Sequence, residues 1–137
     1  MITQRSQKGF TLIELLIVIS IIGIMLAVSL PVSFAMYSRY KASLKAQEIM
    51  VYISDLRRDS FLYSENKIMT SVNDAIMINE NSRAFEDTRI RIDAPIEFYK
   101  NGTTSGGVIR LFIGDYPFIV RIKAPLGDLM MEAAETQ

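Results

Sequence analysis

The sequence predicts an α+β protein in which one long N-terminal helix, membrane-spanning in its first half, packs against an antiparallel β-sheet head. Three observations lead to this prediction. The 137-residue chain has an uncharged, mostly apolar run at 15–38. Apolar residues then recur at spacings of three and four up to about residue 60, which is typical of an amphipathic helix. Beyond residue 66 apolar and polar residues alternate, as in half-buried strands.

The apolar run is long enough to cross a membrane. As a helix, residues 15–38 would extend over roughly 36 Å, whereas the hydrocarbon core of a bilayer is about 30 Å thick. Arg5 and Lys8 precede the run, and no acid occurs before Glu14. The positive-inside bias therefore predicts a cytoplasmic N-terminus. We expect a helix over 10–64 that spans the membrane to about residue 38.

Two simpler interpretations of the run are a secretory signal peptide and an ordinary single-span anchor. Residues 33–35 (Ser-Phe-Ala) offer a possible cleavage site, but the run is longer than the usual apolar region of about 7–15 residues. Neither interpretation accounts for Glu14. A charged residue inside a membrane costs about 2.5–3.5 kcal/mol even on lenient scales, so it requires a partner.

The partner of Glu14 has to come from outside the apolar run. No basic residue lies between Phe10 and Ser38, which leaves another chain or a newly exposed terminal amine. Cleavage after Gly9 would give Phe10 a free α-amino group four residues before Glu14. In a packed bundle, the Glu14 carboxylate of one copy could then neutralise the Phe10 amine of the next.

The residues around this junction, Lys8-Gly9-Phe10-Thr11-Leu12-Ile13-Glu14-Leu15, resemble the class III leader junction of type IV pilins and type II secretion pseudopilins. The resemblance implies that residues 1–9 are a leader, cleaved after Gly9 by an intramembrane aspartyl prepilin peptidase. It implies that the same enzyme N-methylates Phe10, and that Glu14 is the acid needed for methylation and for docking into the filament. The protein would then be a substrate and not an enzyme.

The resemblance to pilins and pseudopilins extends over residues 5–36 and includes Pro31. A proline inside a helix removes a backbone donor and clashes with the preceding turn. We therefore expect Pro31 to kink the helix or to melt it locally.

The second half of the predicted helix has one apolar face that should pack on the head. Its members fall three and four residues apart, namely Ala42, Ala46, Ile49, Ile53, Leu56 and Ser60. Plain core packing is the favoured role of this stripe.

The predicted head, residues 65–137, contains several alternating segments. These are Ile76–Ile78, Arg89–Asp93, Ile96–Phe98, Val108–Ile113 and Phe118–Lys123. Turn residues at 101–107 and at Gly114-Asp115 separate them, and Pro95 and Pro117 suit strand starts or edges. Residues 79–88 are interpreted as a polar loop.

A second resemblance concerns the C-terminal part of the chain. The order of Ile96–Phe98, the glycine-rich segment 101–111, Ile119–Ile122 and Leu126-Gly127-Asp128 is similar to that of the H-type minor pseudopilins and related minor pilins. It implies a structural subunit of a periplasmic pseudopilus that drives protein export by a type II secretion system. The implied partners are other pseudopilins, the prepilin peptidase and the inner-membrane secretion platform. The implied location is the inner membrane, single-pass, with a periplasmic head.

Composition excludes several chemistries. The chain has no Cys and no His, which excludes a disulfide framework, a zinc site of the usual ligands and Ser-His-Asp or Cys-His catalysis. Residues 102–107 lack the lysine of a phosphate-binding loop. The acids Asp115, Asp128, Glu132 and Glu135 have no EF-hand spacing. We expect no cofactor, no metal and no catalytic residue.

The alternative function is that of a minor type IV pilin or competence pseudopilin in pilus assembly or DNA uptake. A DNA-binding subunit would need a basic surface, and the candidate cations are Arg89, Arg91, Arg110, Arg121 and Lys123. An acid, Asp128, follows Gly127 where a DNA-binding tail would carry arginine, and the net charge is zero. Nucleic acid is therefore the less favoured partner.

Overall fold

A computed structural model describes residues 9–134 as one helix followed by eight strands. Helix α1 covers Leu12–Leu62. The strands are β1 (Lys67–Val72), β2 (Ala75–Ile78), β3 (Asn81–Arg83), β4 (Thr88–Ile92), β5 (Ile96–Phe98), β6 (Gly107–Ile113), β7 (Tyr116–Lys123) and β8 (Asp128–Ala133). The chain divides between Ser38 and Arg39 into two compact units, so the second unit contains the end of α1 and all strands.

Helix α1 is continuous through Pro31. Of the two effects expected of Pro31, a kink or local melting, the continuous helix contradicts local melting, and the kink stays a prediction. Proline removes only its own backbone donor, and the hydrogen bonds of the flanking turns keep the helix in register. The helix begins at Leu12 and not at Phe10, because Thr11 serves as its N-cap.

The apolar stripe of α1 is buried as predicted. The six buried residues of the helix are Ala42, Ala46, Ile49, Ile53, Leu56 and Ser60, and their alternating spacing of four and three keeps them on one face. Ser60 is the polar member, and its hydroxyl donates to the Leu56 carbonyl oxygen at 2.9 Å. Its burial therefore leaves no hydrogen-bonding group unsatisfied.

The strands form two four-stranded antiparallel sheets. The first has the order β3-β2-β1-β5 and the second β4-β6-β7-β8. Side chains from both sheets join those of α1 in one hydrophobic core, which includes Met69 and Ile76 of the first sheet and Leu111 and Val120 of the second. The predicted α+β architecture, a long helix packed against antiparallel sheets, is confirmed.

Two tight hairpins fix the registers within these sheets. The turn between β1 and β2 is Asn73-Asp74, with φ of 50° and 62°, the pattern of a type I′ turn. The turn between β6 and β7 is Gly114-Asp115, with Gly114 at φ 56°, where a type II′ turn places glycine. The second of these turns was predicted from the sequence, and the first was not.

Two segments for which no strand was predicted contain strands. Residues 79–88, expected to be a polar loop, include β3 and the start of β4. All three residues of β3 are exposed, so no apolar alternation marks the strand, and it exists through backbone pairing with β2. Strand β8 lies at an edge and pairs with β7 from Asp128 to Ala133, in a segment that was not among the predicted strands.

The glycine-rich segment between β5 and β6 connects the two sheets and is not a hairpin within one sheet. Strand β5 pairs with β1, whereas β6 pairs with β4 and β7. The predicted turn at Asn101-Gly102 is present, since the Gly102 amide donates to the Tyr99 carbonyl oxygen at 2.9 Å, but it does not make β5 and β6 neighbours in one sheet. Local glycine content predicts a change of direction but not which strand the chain joins next.

Candidate functional site

The predicted cleavage junction lies just before the helix. Gly9 and Phe10 have no helical or strand hydrogen bonding, and Phe10 is 85% exposed. Among residues 9–134, no atom other than those of its chain neighbours lies within 4 Å of the position that a Cβ on Gly9 would take. The described residues therefore leave the peptide bond between Gly9 and Phe10 sterically open to an enzyme. Residues 1–8 of the predicted leader, with Arg5 and Lys8, lie outside the described residues.

Thr11 and Glu14 form a capping box at the start of α1. The Thr11 amide and the Thr11 hydroxyl both donate to Glu14 Oε2, each at 3.2 Å. In return, the Glu14 amide donates to Thr11 Oγ1 at 3.3 Å. This reciprocal pattern satisfies backbone donors that the first turn leaves without helical partners. The Glu14 carboxylate also lies where the helix dipole favours a negative charge.

The capping box corrects part of the reasoning about Glu14. From the sequence, a partner for Glu14 was expected only in another chain or at a new amine, whereas the Glu14 carboxylate accepts from two donors of Thr11 in its own chain. Thr11 is the residue that this reasoning missed. The signal was present, because a threonine followed three residues later by a glutamate, ahead of an apolar run, is the capping-box pattern.

Cleavage after Gly9 would leave the capping box intact, because the amide of Thr11 belongs to the peptide bond with Phe10. The new amine would be carried by the residue directly before the N-cap. Processing would therefore add a positive charge next to a carboxylate whose position is already set by Thr11.

Beyond the capping box, the first unit of the chain exposes apolar side chains on all sides of α1. Exposed fractions are, for example, 82% for Leu12, 68% for Ile24 and 76% for Met36. The helix is long and apolar enough to cross a membrane. Ser20 and Ser33 donate their hydroxyls to the carbonyls four residues back, at 2.8 and 2.9 Å. Their polar groups are thus satisfied within the helix, as an apolar environment requires.

The glycine-rich segment uses its polar groups to hold itself together. The Thr104 hydroxyl donates to the Glu97 carbonyl at 2.7 Å, and the Ser105 hydroxyl accepts from the Glu97 amide at 2.9 Å. Thr104 is buried, and β6 follows instead of a helix. The segment therefore lacks both the free donors and the helix N-terminus of a phosphate cradle.

The acids considered for calcium are dispersed. Glu132 pairs with Arg121 at 3.7 Å, while Asp115 lies in the β6–β7 turn and Asp128 begins β8. Across residues 9–134, no three His, Cys, Asp or Glu side chains come together as a metal site would need. Glu135 lies outside the described residues.

The candidate cations share one surface, which we call the basic face. It is the outer face of the second sheet, opposite the core, and carries Arg89, Arg91, Arg110, Arg121 and Lys123. Arg91 and Arg110 are directly opposed in the pairing of β4 with β6. Arg110 is bound to Asp93 at 2.9 Å and Arg121 to Glu132, so acids neutralise part of the face.

Comparison with known proteins gives a match to a family model at the N-terminal end of the chain. Residues 4–30 match the family model described as the prokaryotic N-terminal methylation motif. No solved structure matches the chain. The motif is the leader of type IV pilins and pseudopilins, and together with a long helix packed on antiparallel sheets it supports a pilin-like protein.

More particularly, the motif and the apolar first half of α1 indicate a membrane-anchored precursor. Processing by a prepilin peptidase and assembly with other pilins are what such a leader implies. The matched region ends at residue 30, so it does not distinguish among the secretion, pilus and competence roles of pilin-like proteins.

Proposed function

We propose that the protein is an H-type minor pseudopilin, a structural subunit that assembles into the periplasmic pseudopilus of a type II secretion system. The observation that carries the proposal is the junction itself: an open Gly9–Phe10 bond followed by an acid fixed at the start of an exposed apolar helix. The similarity of residues 96–128 to the H-type pattern supports the subtype. In this role the chain acts by packing and not by catalysis.

The proposed topology follows from the same features. The N-terminus is cytoplasmic, α1 crosses the inner membrane up to about residue 38, and the head is periplasmic. Hydrophobic packing of the exposed first half of α1 against other pseudopilins holds the subunit in the filament. The proposed partners are those pseudopilins, the prepilin peptidase and the inner-membrane secretion platform.

Deletion of the gene in its native host tests the proposal. We expect exported enzymes to accumulate in the periplasm, while twitching motility and DNA uptake continue at wild-type levels. Expression of the intact chain should restore export, and a variant with Gly9→Val should not. Normal export in the deletion strain, together with loss of DNA uptake or of pili, would contradict the secretion role.

The second candidate function, a minor pilin or competence pseudopilin that binds DNA, is favoured by the basic face. The Arg91 side chain makes no hydrogen bond or ion pair with any residue in 9–134, although it lies opposite Arg110. Such like-charged cross-strand pairs are destabilising unless an anion lies between them.

A gel shift with the head fragment, residues 39–137, and duplex DNA at low salt tests this second function. If the basic face binds phosphate, Arg91→Gln weakens a shift that salt also weakens. Lys45→Gln is the control, since Lys45 is bound to Glu48 on the helix at 3.0 Å. An absent shift at low salt eliminates this function.

A further inference from the structure

A pocket of about 360 Å³ lies in the head next to the β6–β7 turn. Its lining includes Arg39 of α1, Asp115 of the turn, and Tyr116 and Phe118 of β7. Thus a cation from the helix and an acid from the sheet face the same space, with apolar surface beside them.

The two charged side chains of this pocket do not stabilise the fold through polar contacts. In the described part of the chain, neither the Arg39 side chain nor the Asp115 side chain makes a hydrogen bond or an ion pair. Elsewhere in the head, exposed opposite charges do pair, as Arg110 does with Asp93 at 2.9 Å. A cation and an anion that share a pocket without binding each other suit a ligand that carries both charges.

Arg39 directly follows the part of the chain that is apolar enough to cross a membrane. Arg39 is the first charged residue after the apolar run 15–38, and Tyr37 and Tyr40 flank it. Both tyrosines are exposed, at 65% and 63%. Tyrosine is enriched where a membrane helix reaches the head groups, and arginine there meets lipid phosphate.

We propose that this pocket binds the head group of a zwitterionic phospholipid with a primary amine, phosphatidylethanolamine. The Arg39 guanidinium binds the phosphate, and the Asp115 carboxylate accepts hydrogen bonds from the ammonium group. Both contacts are charge-assisted and therefore stronger than neutral hydrogen bonds. A quaternary ammonium has no N–H to donate, so phosphatidylcholine makes only the first contact. The proposal rests on the membrane insertion of α1 that the proposed function includes. It does not depend on whether the protein acts in secretion, pilus assembly or DNA uptake.

Native mass spectrometry of the full chain tests the site. The chain is reconstituted into vesicles that contain equal amounts of phosphatidylethanolamine and phosphatidylcholine. It is then released from the vesicles, and the lipid that stays bound to it is measured. We expect about a tenfold excess of phosphatidylethanolamine, the ratio that one additional charge-assisted hydrogen bond gives. Asp115→Ala removes the acceptor oxygens and should bring the ratio close to one, and Arg39→Gln should lower retention of both lipids.

Two matched variants control for a general effect of charge. Lys41→Gln removes a cation two residues beyond Arg39 that does not line the pocket. Asp87→Asn removes an acid beside the same turn, where the Asp87 carbonyl accepts from the Gly114 amide at 3.1 Å. Asparagine tolerates the φ of 53° found at Asp87. Both variants should keep the wild-type lipid ratio.

Several outcomes overturn the proposal. These are equal retention of the two lipids by the wild type, greater retention of phosphatidylcholine, or loss of the ratio in the control variants. Vesicle flotation distinguishes a failure of the lipid site from a failure of the proposed function. A chain that does not float lacks the membrane anchor and contradicts the proposed function, whereas a chain that floats without lipid preference contradicts the pocket alone.

Discussion

The Thr11 hydroxyl donates to the Glu14 carboxylate at 3.2 Å and accepts from the Glu14 amide at 3.3 Å. This double contact gives the single acid of the apolar segment a partner within its own chain. It lowers the cost of placing Glu14 at a membrane before any neighbouring copy is present. It also holds the carboxylate in one place, which is the arrangement that an interaction with a second chain needs.

Replacement of Thr11 by valine should remove the cap while keeping the side-chain shape. We expect the first turn of α1 to lose about 1 kcal/mol of stability, the usual cost of a lost N-cap. Amide hydrogen exchange at residues 12–15 in detergent should be faster in this variant. Thr11→Ser keeps the hydroxyl and should exchange as the wild type does. Equal protection in the valine variant would show that the capping box contributes nothing.

Replacement of Glu14 by glutamine removes the negative charge of this residue but keeps its ability to cap the helix. Glutamine can also complete a capping box, so α1 should begin at the same residue as in the wild type. We expect cleavage after Gly9 to be largely preserved, with methylation of Phe10 or assembly lost because the carboxylate is absent. The mass of the mature N-terminal peptide and the recovery of sheared filaments measure these steps. Normal methylation and normal filaments together would show that the charge is dispensable.

Replacement of Gly9 by valine should leave the precursor uncleaved. A branched side chain restricts the backbone at the bond that the peptidase must reach. Immunoblotting of native-host membranes should show only the longer form, with residues 1–9 still attached. Phe10→Met, on the other side of the bond, keeps a large apolar residue and should be processed. A Gly9→Val chain of mature length would contradict the assigned junction.

Truncation of Ile49 to alanine should destabilise the head. Ile49 is fully buried in the core between α1 and the sheets, and such truncations cost about 2–5 kcal/mol. Urea unfolding of the detergent-solubilised chain, followed by near-ultraviolet circular dichroism, measures this loss. Val51→Ala, at a side chain that is 61% exposed, should change stability by less than about 0.5 kcal/mol.

Replacement of Gly107 by alanine should strain the start of β6. A Cβ at Gly107 would lie 2.6 Å from Ile96 Cγ1, and Ile96 is fully buried. Overpacking of this kind costs about 1–3 kcal/mol. The double variant with Ile96→Ala should lose less stability than the two single changes added together, because the smaller side chain makes room. Strict additivity in urea unfolding would refute the proposed clash.

The sequence by itself determined the helix, most of the strands and the junction. The α1 stripe and the alternation in β4, β6 and β7 were predictable because a single buried face imposes a period of 3.6 or 2 on the chain. Gly9, Phe10 and Glu14 were identified by resemblance to a short, local pattern. The capping role of Thr11 was also predictable from the sequence, because a capping box involves only residues that are close together in the chain.

Only the tertiary structure decided which strands pair and which charged groups meet. Strand β3 has no buried side chain, so backbone pairing with β2 alone defines it. The glycine-rich segment crosses between sheets because β5 finds its partner in β1, a choice that depends on long-range packing. Arg39 and Asp115 are 76 positions apart in the chain, and no periodicity relates them. Their shared pocket exists because α1 and the β6–β7 turn are brought together by the core.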